Sequence, residues 1–383
     1  MIKRKMILGI IAVMCISSFT ACGSQNKEGR QVIEKSDKTI VVKANNNEDI
    51  SGEVTVDKIE SLEGIRGEEW IDDNKILFTK ENKELKPIDT GIGVHNIRNL
   101  YSFNLQSKEE KCLVDKSQDV DFIGISPDKK HIMYVNIFEN KKLGNEMGYI
   151  IDVKGNKKLQ IQEPYGSDMI CTKWIGNEQV IMPYKASGVY LGNINGKSSI
   201  IQEIEKYNPK VEFWENMIYY VVKVGDKLYY VTYDKKIVSY DIKTKEKKVI
   251  KENALDFELS PNKNQFAIVR EVEKDKHSLI LTDLEGKNEV VIVDEGRISD
   301  TSWSPDQKKI AYSVVKDNAV QKEQGVFVTD IDTQKSYQIS VDYRVNGDGI
   351  KWSPSGKKMI VNRNESKDGS DEWIESAYII TLK

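Results

Sequence analysis

Short apolar runs separated by polar turns dominate this chain, and one turn recurs with nearly the same residues. Its four clearest copies begin at Ile125, Leu259, Trp303 and Trp352, and each continues with Ser, Pro and then Asp, Asn or Ser. Proline presets the backbone for a β-turn, and short polar side chains beside it can hydrogen-bond the turn. A strand-forming run such as residues 310–314 follows each copy. Each copy therefore predicts a hairpin between two strands.

Weaker copies of this turn fill the gaps between the clear ones. They begin at Trp70, Trp174 and Trp214, and each has an Asp or Asn within three residues, before another apolar run. Seven apolar markers thus recur at intervals of 40 to 55 residues. A repeat of this length is typical of stacked or circular repeat folds.

A second repeated phrase runs out of phase with the first. In it an apolar strand ends in Asp or Asn, and a branched residue and a polar turn follow. Its copies are centred on Asn104, Asp152, Asn193, Asp241, Asp283 and Asp330. Two hairpins per period make four strands per period, which is one blade of a β-propeller. The sequence therefore predicts an all-β fold, a β-propeller of seven four-stranded blades.

The last repeat contains only three strands, at residues 350–352, 358–362 and 377–382. The seventh blade would then expose a fresh edge, which propellers avoid. Two strand-like runs precede the first marker, at residues 39–43 and 53–57. We predict that one of these N-terminal runs completes the final blade and closes the ring.

The first residues have the pattern of a targeting segment. Lys3, Arg4 and Lys5 precede an apolar stretch of 14 residues, 6–19, which is too short to span a bilayer. The stretch ends in Phe-Thr-Ala followed by Cys22. This arrangement resembles a bacterial lipoprotein signal; the alternative is an ordinary secretory signal with an accidental cysteine.

The lipoprotein resemblance implies that Cys22 is the lipidated N-terminal residue of the mature protein. The protein would then be anchored to the cell membrane on its extracytoplasmic face. We accordingly divide the chain into a signal peptide (1–21), a flexible tether (22–38) and a single β-propeller domain (39–383).

The charge balance argues against nucleic acid as a partner. The 57 Lys and Arg residues nearly balance the 60 Asp and Glu residues, for a formal net charge of −3. Such a chain has no basic footprint for a polyanion. We expect a monomer with no nucleic-acid partner.

Residues that could perform chemistry are scattered. His95, His131 and His277 fall in different predicted blades, without zinc-ligand spacing. The repeated Asp residues are explained by turns, and the marker Trp residues by the core of the inner strands rather than by a sugar-binding face. Cys112 and Cys171 are predicted to be unpaired thiols. We therefore expect no catalytic residues, no metal and no cofactor.

The phrase Trp303-Ser304-Pro305-Asp306, with residues 308–312 after it, resembles the repeat of TolB-type β-propellers. The resemblance implies a propeller that serves as a protein-binding platform in the bacterial envelope. We predict a non-catalytic binding module whose partner is an envelope protein or peptide. Its candidate binding surface consists of the longest irregular segments, at residues 81–99, 138–148 and 363–373.

An alternative function is that of a propeller that binds or cleaves an extracellular polysaccharide. An enzyme of this kind would need a central cluster of His, Arg or carboxylate side chains.

Overall fold

The structure, a computed structural model, describes residues 30–35, 38–43, 54–89, 93–137, 147–156, 158–161, 171–184, 188–201, 204–317, 322–341, 349–366 and 373–383. Within these ranges the helical content is one short 3-10 helix, Phe213–Asn216. Strands and their turns make up nearly all of the rest, as predicted.

The strands are numbered in chain order. The first three are β1 (Arg30–Lys35), β2 (Lys38–Lys43) and β3 (Val56–Glu63). Blade 1 contains β4 (Arg66–Asp72), β5 (Lys75–Glu81), β8 (Arg98–Asn104) and β9 (Glu110–Cys112), with the small hairpin β6 (Ile88–Asp89) and β7 (Val94–His95) between β5 and β8. Blade 2 contains β10 (Val120–Ile125), β11 (His131–Asn136), β12 (Met147–Asp152) and β13 (Lys158–Gln160). Blade 3 contains β14 (Lys173–Trp174), β15 (Gln179–Tyr184), β16 (Gly188–Asn193) and β17 (Ser198–Ile201).

Four further blades complete the ring. Blade 4 contains β18 (Ile218–Val224), β19 (Lys227–Thr232), β20 (Ile237–Asp241) and β21 (Lys247–Lys251). Blade 5 contains β22 (Ala254–Leu259), β23 (Gln265–Glu273), β24 (Lys276–Asp283) and β25 (Val290–Val293). Blade 6 contains β26 (Arg297–Trp303), β27 (Lys309–Asp317), β28 (Lys322–Asp330) and β29 (Ser336–Val341). Blade 7 contains β30 (Lys351–Trp352), β31 (Lys358–Ser366), β32 (Trp373–Leu382) and, as its outermost strand, β3.

The seven sheets form a seven-bladed propeller, which confirms the predicted fold and blade count. Neighbouring strands within each blade are antiparallel. The first strands of successive blades contact one another, for example β4 with β10 and β30, and therefore surround the central channel. The apolar core lies between adjacent sheets, where side chains of two neighbouring blades share each cluster.

An N-terminal strand closes the ring, as predicted, but its bounds differ from those of both predicted runs. The closing strand β3 pairs with β32 from Val56 opposite Leu382 to Glu63 opposite Ser376. It overlaps the predicted run 53–57 only at its start. The other predicted run, 39–43, lies in β2 and pairs with β1 in a separate hairpin. The second half of the predicted tether therefore contains a strand.

The serine of the first phrase is a structural residue of the turn. Ser126, Ser260, Ser304 and Ser353 are buried. Each Oγ accepts a hydrogen bond from the backbone N–H five residues later, at 2.9 to 3.1 Å. In the copy that begins at Trp303, Ser304 Oγ also donates a hydrogen bond to the Asp306 carboxylate at 2.6 Å. The predicted turn chemistry is confirmed.

The acidic and amide side chains of the second phrase also bond their own turns. Asp152 Oδ1 accepts the N–H groups of Lys154 and Asn156, at 2.8 and 2.9 Å. Asp283 accepts those of Glu285 and Lys287 in the same way. These bonds stabilise the ionised form and lower the pKa of both carboxyls.

Three of the marker tryptophans join neighbouring blades. The indole N–H of Trp70 donates to the Lys351 carbonyl at 2.9 Å, and that of Trp352 donates to the Ser302 carbonyl at 3.2 Å. Trp303 bonds the preceding blade similarly, at 3.4 Å. All three side chains are buried, which confirms that they are core residues.

Two marker tryptophans differ from this pattern. Trp174 packs against Gly124, where an added Cβ would lie 3.2 Å from its ring, and its indole N–H has no hydrogen-bond partner. Trp214 lies in the 3-10 helix, so the prediction that it belongs to an inner strand is wrong. The first strand of blade 4 is β18, and its turn to β19 is Gly225-Asp226.

We expect Trp70→Phe to lower the free energy of unfolding by about 1 kcal/mol more than Trp174→Phe does, because only Trp70 loses an indole hydrogen bond. Both substitutions keep an aromatic ring and remove similar volume. Denaturant unfolding of the two variants measures the difference. Equal losses would contradict the proposed role of the indole bond.

Candidate functional site

The two faces of the propeller are built differently. Both repeated phrases form tight turns on one face, which we call the lower face. The connections from the second to the third strand of each blade lie on the opposite, upper face. All three predicted binding segments are of this type, because they join β5 to β8, β11 to β12 and β31 to β32. They belong to blades 1, 2 and 7, which are adjacent in the ring.

The structure describes only part of these segments. Residues 90–92, 138–146 and 367–372 lie outside the described residues. In the first segment, β6 and β7 pair through Ile88 opposite His95 and Asp89 opposite Val94. Val94 is 74% exposed, an unusually open apolar side chain.

A pocket of about 730 Å³ opens beside these segments, where blade 7 meets blade 1. Charged side chains dominate its wall. Lys80 pairs with Glu110 and lies 4.5 Å from the centre of the Tyr101 ring. Arg98 pairs with Glu375 of blade 7. The exposed Lys83 and Glu84 lie at the rim.

Next to the pocket, blades 1, 2 and 7 bring together a group of ionisable side chains that we call the mouth cluster. It consists of Arg66, Glu68, His95, Arg98, Asp119, Asp121 and Glu375. The strand ends at which they lie belong to the upper face. The sequence analysis did not identify this cluster.

Glu68 is a buried carboxyl of the mouth cluster. Its side chain accepts a hydrogen bond from Thr79 Oγ1 at 2.6 Å, and Arg66 Nε lies 3.8 Å from the same oxygen. Burial nevertheless raises the pKa of Glu68 to about 7. Burial also raises the pKa of the neighbouring Asp121. Such perturbed carboxyls are typical of functional sites, although structural clusters contain them too.

Asp119 links the loop of blade 1 to blade 2. One carboxylate oxygen accepts the backbone N–H of Arg98 at 2.8 Å, and the other contacts His95 Nε2 at 2.7 Å. Asp119 is buried, whereas the His95 side chain is 36% exposed. His95 is therefore bound at the edge of the mouth, where solvent and ligands can reach it.

We expect Glu68→Gln to leave stability nearly unchanged at about pH 4 and to raise it by up to about 3 kcal/mol at about pH 9. The folded chain holds the Glu68 proton more tightly than the unfolded chain, since burial raises its pKa to about 7. The stability gained from that proton is complete below the unfolded pKa and is lost as the pH rises through 7. Denaturant unfolding at both pH values measures this, and a variant less stable at the higher pH would contradict it.

A second cluster lies in the central channel. Lys173, Glu258 and Lys351 occupy the same position in β14, β22 and β30, directly before the apolar markers Trp174, Leu259 and Trp352. Their strands belong to blades 3, 5 and 7, which are not adjacent. Because only the channel joins these blades, the charges can act on one another only across it. Asp256, Asp300 and Tyr220 extend this channel cluster.

Enclosure by protein shifts the ionisation of the channel cluster. Burial raises the pKa of Glu258 to about 8 and that of Asp256 to about 6. Solvent reaches Lys173 within the channel, yet protein surrounds it, and this lowers the pKa of its ammonium. The positive charge of Lys351 acts in the same direction.

One signal in the sequence could have revealed the channel cluster. Inner strands are expected to be apolar, yet Glu69, Lys173, Glu258 and Lys351 each come directly before a marker. A charged residue at a repeated position of an inner strand indicates a polar channel rather than a packed one.

The remaining predicted residues are distributed as follows. Cys22 lies outside the described residues. Cys112 lies in the outer strand β9 and Cys171 lies two residues before β14, and no disulfide joins them. His95, His131 and His277 belong to blades 1, 2 and 5.

Two further features of the described residues bear on chemistry and location. Within the ranges given above, His, Cys, Asp and Glu side chains form no group of three that could hold a metal ion. Over the same part of the chain, no helix has the length and apolar character needed to cross a membrane.

No protein-family model and no curated protein sequence matches this chain. Solved structures do resemble it. An oligogalacturonate lyase in complex with manganese is similar with a TM-score of 0.59 at 11% identity, over 92% of this chain and 96% of the lyase. The protein U3-55K is similar with a TM-score of 0.56 at 11% identity, over 85% of this chain and 98% of that one. A putative TolB from Agrobacterium tumefaciens gives a TM-score of 0.46 at 14% identity, over 73% of this chain and 96% of that one. At these identities the likeness shows the propeller fold alone.

Proposed function

We propose that this protein is a membrane-anchored, extracytoplasmic propeller whose upper face binds a protein or peptide of the bacterial envelope. One observation carries the proposal: the strands that the three predicted segments join end and begin at the same face of three adjacent blades, and a 730 Å³ pocket opens there where blade 7 meets blade 1. The lower face, by contrast, uses its polar side chains to stabilise its own turns. Loops positioned by a rigid scaffold are where binding surfaces usually form.

The pocket wall suggests a polar polypeptide as the partner. Cationic and anionic side chains alternate around it, including Lys80, Lys83, Glu84 and Glu110. Mixed charge of this kind favours a ligand that has both donors and acceptors, such as a peptide backbone, over a uniformly charged polymer.

Site-specific photo-cross-linking in the native host tests the proposal. A photoreactive residue at Lys83, on the pocket rim, should trap one discrete envelope protein, whereas the same residue at Lys308, on the lower face, should not. The trapped protein, once purified, should bind wild type and lose about tenfold in affinity for Lys83→Glu. Equal trapping from both faces, or an unchanged affinity, would overturn the proposal.

The anchor rests on the sequence around Cys22. We expect Cys22→Ser to release the protein from the membrane fraction or to block its maturation, because the thiol that carries the lipid is lost. Detergent partitioning of wild type and variant, expressed in a host that processes lipoproteins, measures this. Unchanged partitioning and processing would show that Cys22 is not the anchor.

A second candidate function is cleavage of an acidic polysaccharide by elimination. The mouth cluster favours it, since Arg66 and Arg98 could bind a substrate carboxylate while Glu68, with a pKa of about 7, could accept a proton near neutral pH. Elimination would produce an unsaturated sugar that absorbs ultraviolet light. Incubation with oligogalacturonate should then increase absorbance in wild type but not in Glu68→Gln. No increase with wild type would reject this candidate.

A further inference from the structure

The two lysines of the channel cluster differ from most other enclosed lysines of this protein. Lys251, for example, has a side chain that is only 17% exposed and pairs with Glu289 at 2.6 Å. In the part of the chain that the structure describes, neither Lys173 nor Lys351 has a carboxylate within ion-pair distance or a hydrogen-bond acceptor at its ammonium group. Yet both come from the walls of one channel and act on each other electrostatically. Two like charges held together are costly, and the negative charge of Asp256, which acts on Lys173, offsets only one of them.

Glu258 has unused hydrogen-bonding capacity in the same place. Its Oε2 is buried and has no hydrogen-bond partner. With a pKa of about 8, the carboxyl is protonated at neutral pH and can donate a hydrogen bond. Native structures seldom leave a buried polar atom unpaired, so this atom calls for an explanation.

The other carboxylates around the channel are better satisfied. Asp300 accepts hydrogen bonds from Ser299 and Ser313 at 2.8 and 2.7 Å, and from the N–H of Gly349 at 3.0 Å. Asp256 accepts the N–H of Phe257 at 2.7 Å. The remaining negative charge of Asp256 would repel a large polyanion. The charge balance of the channel therefore favours a compact anion.

We propose that the channel binds one compact oxyanion, a carboxylate or a phosphate group, between Lys173 and Lys351, with the Glu258 carboxyl donating a hydrogen bond to it. The two ammonium groups supply the counter-charge that the anion needs, and the anion supplies the acceptor that they lack. This site is separate from the upper-face loops, so it holds whether or not the proposed function is correct.

Titration calorimetry of the full-length protein in detergent, at constant ionic strength set with chloride, tests the site with two probes. Acetate alone, inorganic phosphate alone, or both should bind at one per chain, and the pattern identifies the source of the oxyanion. Lys173→Met and Lys351→Met should each weaken binding about tenfold or more. Lys308→Met, which changes an exposed lysine on the lower face, should have no effect. Absence of binding for both probes, or binding that survives both channel substitutions, would overturn the proposal.

The dependence on pH separates a ligand-binding Glu258 from a structural one. Affinity in wild type should fall as the pH rises through about 8, because ionised Glu258 repels the anion and no longer donates. Asp256, Lys173 and Lys351 surround Glu258 and also carry charge. The substitution Glu258→Gln removes the titration of Glu258 alone. That variant keeps the side-chain volume, and its affinity should fall less than that of wild type over this pH range, because Lys173, whose pKa is also lowered, still titrates in it. If the affinity of Glu258→Gln falls with pH as much as that of wild type, Glu258 does not bind the anion. This test does not depend on whether the lysine variants fold.

Discussion

A chain that begins at Arg66, and therefore lacks the closing strand β3, should aggregate rather than fold. The outer edge of β32 would be open along the whole length that now pairs with β3. An exposed edge of this length invites pairing with other chains. Five apolar side chains that are buried or packed against the cores of blade 7 would also be lost: Val54, Val56, Ile59, Leu62 and Ile65.

The size of this effect follows from the area that these side chains bury. Full burial, as for Val54, contributes about 1.5–3 kcal/mol, and partial burial, as for the other four, about half as much. Their combined loss therefore costs about 4–9 kcal/mol, comparable with the typical 5–15 kcal/mol of a whole domain. Yield of soluble protein, size-exclusion chromatography and thermal melting measure the outcome.

A matched truncation controls for the removal of N-terminal residues as such. A chain that begins at Val54 lacks the β1–β2 hairpin and the predicted tether but keeps β3. It should remain soluble and melt within a few degrees of the longer chain. If the two truncations behave alike, closure by β3 does not determine stability.

The blade count could be predicted because two independent phrases each stabilise a turn in most of the blades, at the same period. The turn around Ser304 illustrates the reason: its serine, aspartate and backbone form a closed hydrogen-bond network that needs those residue types. Blade 4 escaped correct placement because its turn, Gly225-Asp226, follows Val224 and lacks a Trp marker as well as Ser and Pro, whereas the turns of blades 1 and 3 lack only Ser and Pro. Trp214 has the same local appearance as a marker but lies in the preceding connection.

The bounds of the closing strand could not be predicted from alternation. Its apolar residues Val56, Ile59 and Leu62 are three apart, whereas a regular strand repeats every two. A β-bulge between Val56 and Lys58 shifts the register and places Val56 and Ile59 against the same cluster, shared with blade 6, whereas Leu62 packs against the cluster shared with blade 1. The shorter runs, residues 39–43 and 53–57, have more regular patterns and therefore indicate a strand more clearly than the irregular spacing of β3 does.

The two clusters depend on contacts between distant parts of the sequence. Lys173 and Lys351 are brought together only by the curvature of the whole ring, and Arg98 meets Glu375 only where the ring closes. Local patterns contain no information on such distances. Their ionisation states also depend on burial, which sequence spacing alone does not determine.

Replacing Asn362 should destabilise the junction between blades 7 and 1 almost as severely as opening the ring. Asn362 Oδ1 accepts the N–H of Gly67 at 2.9 Å, and its Nδ2 donates to the Gly67 carbonyl at 2.8 Å, both in the buried interior. Asn362→Leu keeps the branched shape and the number of heavy atoms of the side chain but leaves two backbone groups unsatisfied, at a cost of about 1–3 kcal/mol each. We therefore expect a loss of about 2–6 kcal/mol in the free energy of unfolding.

Two companion variants make this prediction specific. Gly67→Ala should also destabilise, because its new Cβ would lie 2.5 Å from Ile360 Cγ2 and would force apart the two strands that Asn362 joins. Asn156→Ala, at an exposed turn whose backbone bonds remain, should change the free energy by less than about 0.5 kcal/mol. Denaturant unfolding compares all three variants with wild type. A loss below about 1 kcal/mol for Asn362→Leu would mean that water or a backbone shift satisfies Gly67, and that packing of the closing strand, rather than this amide pair, secures the junction.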